Sequence, residues 1–269
     1  MPEQHFDDSF ASSAPENYER YFVPAIGEPV ATDMMEWAAL RSGERVLDVG
    51  CGTGIAARLA AERVAPDGAV TGIDINPGML AVARSAAASG VPIEYHEARA
   101  ETMPLTDESF DVALCQMSLQ FMPDRRGALA EMRRVLVPNG RVVINLPGPA
   151  SPLFQALADA MGRHISPRAA GFVQQVFSLH DLAEVRDLLA EAEFRHVRVE
   201  AQEKELALPP AKDFLWQYVY STPLAAVVQD ADGAARSALE EEVVGEWRDF
   251  THEGGMKSRQ RMVVASGRK

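Results

Sequence analysis

The chain has 269 residues, 47% of them hydrophobic and 24% charged, and carries a formal net charge of −13. That composition suits a globular protein with one full core and additions to it. It argues against a nucleic-acid binder, because a field of that sign repels phosphate, and no apolar run reaches the ~18–20 residues of a membrane span.

Residues Met1 to Ser13 hold Glu3, Asp7 and Asp8 and no Lys or Arg. That is unlike a signal or transit peptide, so a cytoplasmic protein with a loose N-terminus is expected. Asn17 to Leu40 reads as helix, broken at Pro24 and at Gly27 to Pro29. From Glu44 strands and helices alternate. Arg45–Val49 reads as a buried strand. Ile55–Val64 follows as a helix with Ile55, Leu59 and Val64 on one face, and Ala69–Ile73 is the second strand. Asn76 caps a helix with Pro77 at its first position. Ile93–His96 and Phe110–Leu114 are the next strands. Asp124 caps a helix whose Leu129, Met132 and Leu136 share a face. Pro138-Asn139-Gly140 is a turn, and Arg141–Leu146 is the fifth strand. Such alternation predicts an α/β fold with a mostly parallel sheet covered on both faces.

After Pro147 the rhythm fails until a helix at Leu179–Ala192 and a strand at Phe194–Glu203. It fails again from Leu208 to Gly255, before a last strand at Arg259–Ala265. The expected organisation is an N-terminal helical cap (1–40), a core (41–148), an insertion (149–178), more core (179–205), a second insertion (206–256) and a final strand (257–269). The insertions follow strands five and six, beside the crevice where open α/β sheets bind ligands. They read as a substrate lid, and would serve equally as a homodimer surface.

The sharpest motif is Val46-Leu-Asp-Val-Gly-Cys-Gly-Thr-Gly54. Glycines at alternate positions after a strand let a ligand approach the main chain. A dinucleotide loop spaces them G-x-G-x-x-G and seats a pyrophosphate. Here the spacing is G-x-G-x-G, and Asp48 would repel a pyrophosphate but suit an ammonium or a sulfonium. Asp74, twenty residues beyond Gly54, can accept both ribose hydroxyls of a nucleoside.

These residues, with Asn76-Pro-Gly-Met-Leu80, Ala100-Glu-Thr-Met-Pro-Leu105, Ser109 to Gln116 and Glu131 to Gly140, resemble the class I S-adenosylmethionine-dependent methyltransferases. The likeness is to the branch of ubiquinone/menaquinone-biosynthesis-type and related small-molecule enzymes. Tyr18 to Pro24, Leu119 to Arg125 and Ser221 to Leu224 look similar to bacterial members of that branch. The resemblance implies a Rossmann-like, doubly wound, seven-stranded sheet and S-adenosylmethionine as cofactor. It places Gly50, Gly52 and Gly54, with Cys51 among them and Asp48 nearby, under the cofactor. Asp74 would hold the ribose, Ile75 and Met79 would flank the adenine, and Arg99-Ala100 would edge it. Gln116 would offer main chain to the methionyl part, and Tyr18 would close over the site.

Two positions depart from the family pattern. Arg99 replaces the usual aspartate, and it has donors only. The adenine amino group then needs Glu101 or a backbone carbonyl as acceptor; losing such a contact costs ~1–3 kcal/mol, roughly 5- to 150-fold in affinity. Asn139 replaces a common glycine, and Asn tolerates left-handed backbone.

Other features read as structure. Cys51 and Cys115 pack at neighbouring strand ends. Phe214, Trp216, Tyr218, Tyr220 and Trp247 read as packing of the insertion, with a substrate pocket as the alternative. Phe10, Phe22 and Phe121 read as core, Glu240-Glu-Glu242 as a solvated helix face, and the basic residues from Lys257 to Lys269 as a solvated strand edge and tail.

The implied reaction is methyl transfer to an O, N or C nucleophile of a small, partly hydrophobic molecule. No metal is expected. A general base is needed only if the acceptor must lose a proton, and His164 and His252 are the candidates by residue type and by place in the insertions. The alternatives are a non-catalytic binder of S-adenosylmethionine or S-adenosylhomocysteine, which Arg99 favours; a tRNA or protein methyltransferase, which the charge disfavours; and an NAD-dependent dehydrogenase, which the glycine spacing and Asp48 disfavour.

Overall fold

The computed structural model describes residues 13–86 and 89–269. The expected loose segment up to residue 12, Phe10 included, lies outside them. The elements in chain order are α1 (Ala14–Asn17), a π-helical run (Tyr18–Gly27), α2 (Glu28–Ala38), β1 (Arg45–Val49), α3 (Ile55–Val64), β2 (Ala69–Asp74), α4 (Pro77–Ser85), β3 (Ile93–Glu97), β4 (Phe110–Gln116), a 3₁₀ turn (Leu119–Phe121), α5 (Arg125–Val135) and β5 (Leu136–Pro147). Then come α6 (Pro152–His164), α7 (Pro167–Val176), α8 (Leu182–Glu191), β6 (Arg195–Leu208), α9 (Ala211–Tyr220), α10 (Leu224–Gln229), α11 (Gly233–Glu246), a 3₁₀ turn (Trp247–Phe250), β7 (Thr251–His252) and β8 (Gly255–Arg268). The sheet order is β3-β2-β1-β4-β5-β8-β6, with β7 paired to β8 off that path. Pairing is parallel among β3, β2, β1, β4 and β5, and antiparallel between β5 and β8. The sheet thus has eight strands rather than seven, because the short β7 folds back on the start of β8.

By packing, the chain divides into two units. The sheet unit takes Glu28–Pro149, Phe177–Lys204 and Arg261–Lys269. Side chains that alternate along its strands build two cores. Leu47, Val49, Ala113, Cys115 and Ile144 pack with Leu129 and Met132 of α5 and Val185 and Leu189 of α8. Val46, Val112, Leu114 and Val143 pack with Met34, Met35 and Ala38 of α2 and with α3. The buried face of α3 is Ala56, Ala57, Ala60, Ala61 and Val64, not the larger Ile55 and Leu59. Alanines let a helix backbone approach the sheet closely, so size misled the reading of that face. β3 is the sheet edge, which explains its weak apolar pattern.

Among the boundaries that differ from the sequence reading, three have an identifiable reason. The N-terminal helix does not break at Pro24 or at Gly27 to Pro29; its middle widens into π-helix around Pro24, which relieves the clash a proline ring makes in an α-helix. The turn expected at Pro138-Asn-Gly140 is a bulge inside β5. Phe110 pairs with Leu136 and Val112 with Arg141, and Asn139 takes φ 64 between them. β8 begins earlier than expected because two of its buried positions, Ser258 and Gln260, are polar and hide the alternation. Its tail is also tied down rather than solvated: Lys269 Nζ donates to Leu136 O at 2.7 Å and Lys269 N to Gly140 O at 2.9 Å.

The helical unit takes the described residues up to Gly27 with Ala150–Val176 and Glu205–Gln260. Aromatic rings form its interior. Phe214 lies 5.6 Å from Trp247, 6.4 Å from Phe154 and 6.0 Å from Tyr218, and Phe22 lies 6.2 Å from Tyr218. Trp247 Nε1 donates to Leu153 O at 2.9 Å. The acidic run of α11 is not simply solvated. Glu240 accepts from Trp216 Nε1 at 2.7 Å and pairs with Lys212 at 2.6 Å, and Glu242 pairs with Arg163 and His164.

In the sheet unit, Arg141 links β5 to the start of β1. Its guanidinium reaches Glu44 at 2.8 Å and donates to the carbonyls of Ala38 at 2.7 Å and Ala39 at 3.1 Å. Replacing it by Met leaves a half-buried carboxylate and two carbonyls without their donor. Arg141→Met is expected to lower stability by about 2–4 kcal/mol, roughly 5–10 °C in a thermal unfolding scan. An unchanged midpoint would mean that water replaces the guanidinium without loss.

Candidate cofactor site

β1 ends at Val49, and the chain then turns at the C-terminal ends of the strands into α3. Gly50, Gly52 and Gly54 take φ 69, 55 and 86 in that turn, a region that favours glycine. Gly50 N and Cys51 N both donate to Ile73 O, at 2.8 and 2.9 Å, which fastens the turn to β2. A Cβ on Gly50 would run into the Ser118 side chain, whereas one on Gly52 would meet no atom within 4 Å. Gly52 therefore presents bare backbone to open space. Gly54 caps α3.

Asp74 ends β2. Its Oδ2 accepts from Gly52 N at 2.8 Å and its Oδ1 from Asn76 N at 2.8 Å. A carboxylate has about four acceptor sites, so these bonds do not saturate it. Burial raises the Asp74 pKa, against the N–H groups of Asn76, Gly52 and Ile75. Asn76 caps α4 as expected, accepting from Gly78 N at 2.9 Å and Met79 N at 3.3 Å. Ile75, between these two, is 57% exposed; it and Phe121, at 40%, are the large exposed hydrophobics among the described residues.

Asp48 is fully buried and neither of its oxygens makes a hydrogen bond of regular geometry. Burial pushes its carboxyl from 3.8 up to about 7, and Asp74 adds to the rise; the Ala57 N–H and Arg58 exert a weaker pull downward. Cys51 and Cys115 are buried, free thiols. Burial, then Asp48 and for Cys51 also Asp74, raise both, Cys115 up to about 12. They are protonated, inert packing groups at physiological pH.

Arg99 is half exposed, with its Nε 3.4 Å from Glu101 Oε2, and the Glu101 side chain is only 13% exposed. Glu101, one of the two replacement acceptors named from the sequence, thus stands beside Arg99. Ala100 is buried. Gln116 ends β4, opposite Asn145 of β5. Tyr18 belongs to the helical unit, where its ring stacks on Phe22 at 4.5 Å. His164 is there too, its Nε2 2.6 Å from Glu242 Oε2, and His252 lies 3.7 Å from Glu253 on an exposed hairpin. Sequence reasoning missed Asn145 and Ser118. The signal for Asn145 was present, as an amide inside the apolar run Val142 to Leu146.

The family described as a methyltransferase domain matches residues 47–144. The chain is 41% identical over 138 residues to a demethylmenaquinone methyltransferase of Deinococcus radiodurans, a match covering 51% of this chain and 57% of that one. It is 32% identical over 172 residues to a ubiquinone/menaquinone biosynthesis C-methyltransferase of Syntrophotalea carbinolica, covering 60% of this chain and 72% of that one. The chain belongs to the class I S-adenosylmethionine-dependent methyltransferases. It spans little more than half the length of the Deinococcus relative. An S-adenosylmethionine-dependent methyltransferase of Thermotoga maritima shares the fold, with a TM-score of 0.55 at 20% identity over 98% of this chain and 99% of that one.

The residues fit this family's cofactor. Asp48 is a buried carboxyl with no hydrogen bond of regular geometry, Gly52 leaves room where a side chain would stand, and the two bonds to Asp74 do not saturate its carboxylate. The raised Asp48 pKa also sets a pH dependence. Since the folded-state value is higher than the unfolded one, the stability it contributes is full below 3.8 and is lost as pH rises through about 7. A shift of about three units is worth about 4 kcal/mol at most. Asp48→Asn is therefore expected to raise the unfolding temperature of the ligand-free protein at pH 8 and to give no gain at pH 4. A gain of equal size at both pH values would show that Asp48 ionisation is not the cause.

Proposed function

We propose that this chain is an enzyme that moves the methyl group of S-adenosylmethionine to a carbon, oxygen or nitrogen of a small, partly hydrophobic acceptor. The observation that carries the reading is the buried carboxyl of Asp48, which makes no hydrogen bond of regular geometry, four residues before the open backbone of Gly52, with Asp74 bonded to that same glycine. A dinucleotide pyrophosphate would meet Asp48 as a repulsive charge, whereas a cationic ligand would satisfy it. The two relatives are named for methylating demethylmenaquinone and for C-methylation in ubiquinone and menaquinone biosynthesis, which makes an electron-rich ring carbon the first acceptor to test.

When bound, S-adenosylmethionine supplies a methyl group already activated on a sulfonium. In this reading the chain's own residues bind and orient. Asp48 faces the positive charge, and Asp74 accepts the ribose hydroxyls with its remaining lone pairs. Ile75 and Met79 flank the base, Glu101 beside Arg99 accepts from its amino group, and Gln116 offers main chain to the methionyl part. Orientation of this kind supplies ~7–11 kcal/mol of the barrier.

The test is thermal unfolding with S-adenosylmethionine, S-adenosylhomocysteine or NAD, for wild type and Asp74→Ala. Ligand at 100 times its dissociation constant adds ~2.7 kcal/mol, a shift of roughly 5–11 °C at this size. Wild type is expected to shift with the sulfur ligands and the variant to lose the shift. A response to NAD alone would overturn the reading. Labelled methyl transfer to ring, hydroxyl and amine acceptors then finds the nucleophile, and methylation of polar amines alone would refute the hydrophobic acceptor.

A further inference from the structure

Asn145 lies near the end of β5, 1% exposed. Its Oδ1 accepts the Met117 N–H at 3.2 Å, and its own carbonyl accepts the same N–H at 2.9 Å. Its Nδ2 donates to Val30 O of α2 at 3.3 Å. These partners fix the amide orientation, because a flipped amide would set NH₂ against N–H and oxygen against carbonyl.

The residue held in this way is in a disfavoured conformation. Met117 has φ 44, in the left-handed region that side-chain-bearing residues avoid. Its carbonyl is held as well, accepting from Gln120 Nε2 at 3.0 Å. Two buried side chains therefore clamp both peptide groups of one strained residue, just past the end of β4. Strain of this kind persists only where the surroundings over-determine it.

The next residue shows what the clamp achieves. Ser118 lies directly against Gly50, the first glycine of the cofactor turn; a Cβ on Gly50 would stand 2.8 Å from Ser118 Cβ and closer still to its Oγ. The turn after β4 is thereby seated on the turn after β1. An extended backbone at Met117 would carry Ser118 in another direction and release Gly50.

We infer that Asn145 is a positioning residue for the cofactor site: it holds Met117 left-handed, so that Ser118 seats on Gly50 and the main chain from Gln116 onward keeps its place at the edge of that site. The inference rests on the glycine turn being the S-adenosylmethionine site. A glycine at position 117 adopts the same φ without strain, so it should make the clamp dispensable.

The experiment measures S-adenosylhomocysteine binding by calorimetry, with thermal unfolding alongside, for wild type, Asn145→Ala and Asn145→Ala with Met117→Gly. Asn145→Ala is expected to weaken binding about tenfold, and adding Met117→Gly to recover most of that loss, although neither change touches the ligand. A buried amide that is merely structural would lower the unfolding temperature and leave binding alone, or would give a loss that Met117→Gly does not recover. Either result overturns the inference. If Asn145→Ala does not fold, Gln120→Leu removes the other half of the clamp. It also removes an amide oxygen that is buried without a partner, so it should weaken binding without lowering stability, and unchanged binding would overturn the inference. No binding by wild type overturns the cofactor reading and this inference with it; equal binding by wild type and variants overturns this inference alone.

Discussion

Asp74 ties together three parts of the chain that are distant in local geometry. Its side chain ends the second strand, takes the N–H of Gly52 from the turn after the first strand, and takes the N–H of Asn76, which caps the next helix. The glycine turn has left-handed backbone at three positions whose residues carry no side chain, so much of its shape is held from outside. Asp74 and the Ile73 carbonyl, which accepts from Gly50 and Cys51, are that outside support. A carboxylate is the right group for this because its two oxygens offer about four acceptor sites, so it can bond the protein without being saturated. The group that would recognise a ribose is thus also the group that shapes the turn beneath it.

Asp48 shows the opposite economy. It sits in a strand whose neighbours Val46, Leu47 and Val49 are all core, and its carboxyl is buried with no regular hydrogen bond. Folding alone gives no reason for it, since an apolar residue of similar size would be more stable there. In the proposed reading, that cost is the one a cation-binding site would carry in the ligand-free protein.

Much of this was legible in the sequence because the signals are local. Arg45–Val49 and Ile55–Val64 match the structure end to end, and the Asn76 and Asp124 caps form as written. Asp48, Asp74 and the three glycines are found together because motif spacing directly encodes a turn between adjacent strands. The failures have a common physical origin, in positions whose environment is set by distant chain. The alanine face of α3 answers to a sheet that periodicity does not see. Ser258 and Gln260 hide the early part of β8 because they are polar in buried places. The π-helical run around Pro24 reflects how a helix absorbs a proline rather than whether it tolerates one.

Asn145 belongs to the same group and shows why such residues escape a motif search. It is neither in the glycine turn nor in any sequence segment that touches it, and its effect passes through the backbone angle of Met117 and the placement of Ser118. Glycine at position 117 would achieve that angle without help. Methionine there needs an amide from the neighbouring strand, so the sequences of β4 and β5 are coupled at this point although neither is unusual alone. In a parallel sheet this coupling has a natural direction. The strands register at their C-terminal ends, where Gln116 faces Asn145, and ligands of open α/β sheets also bind at those ends. A buried polar residue near the C-terminal end of a strand is therefore well placed to set the shape of a neighbouring turn without contacting the ligand.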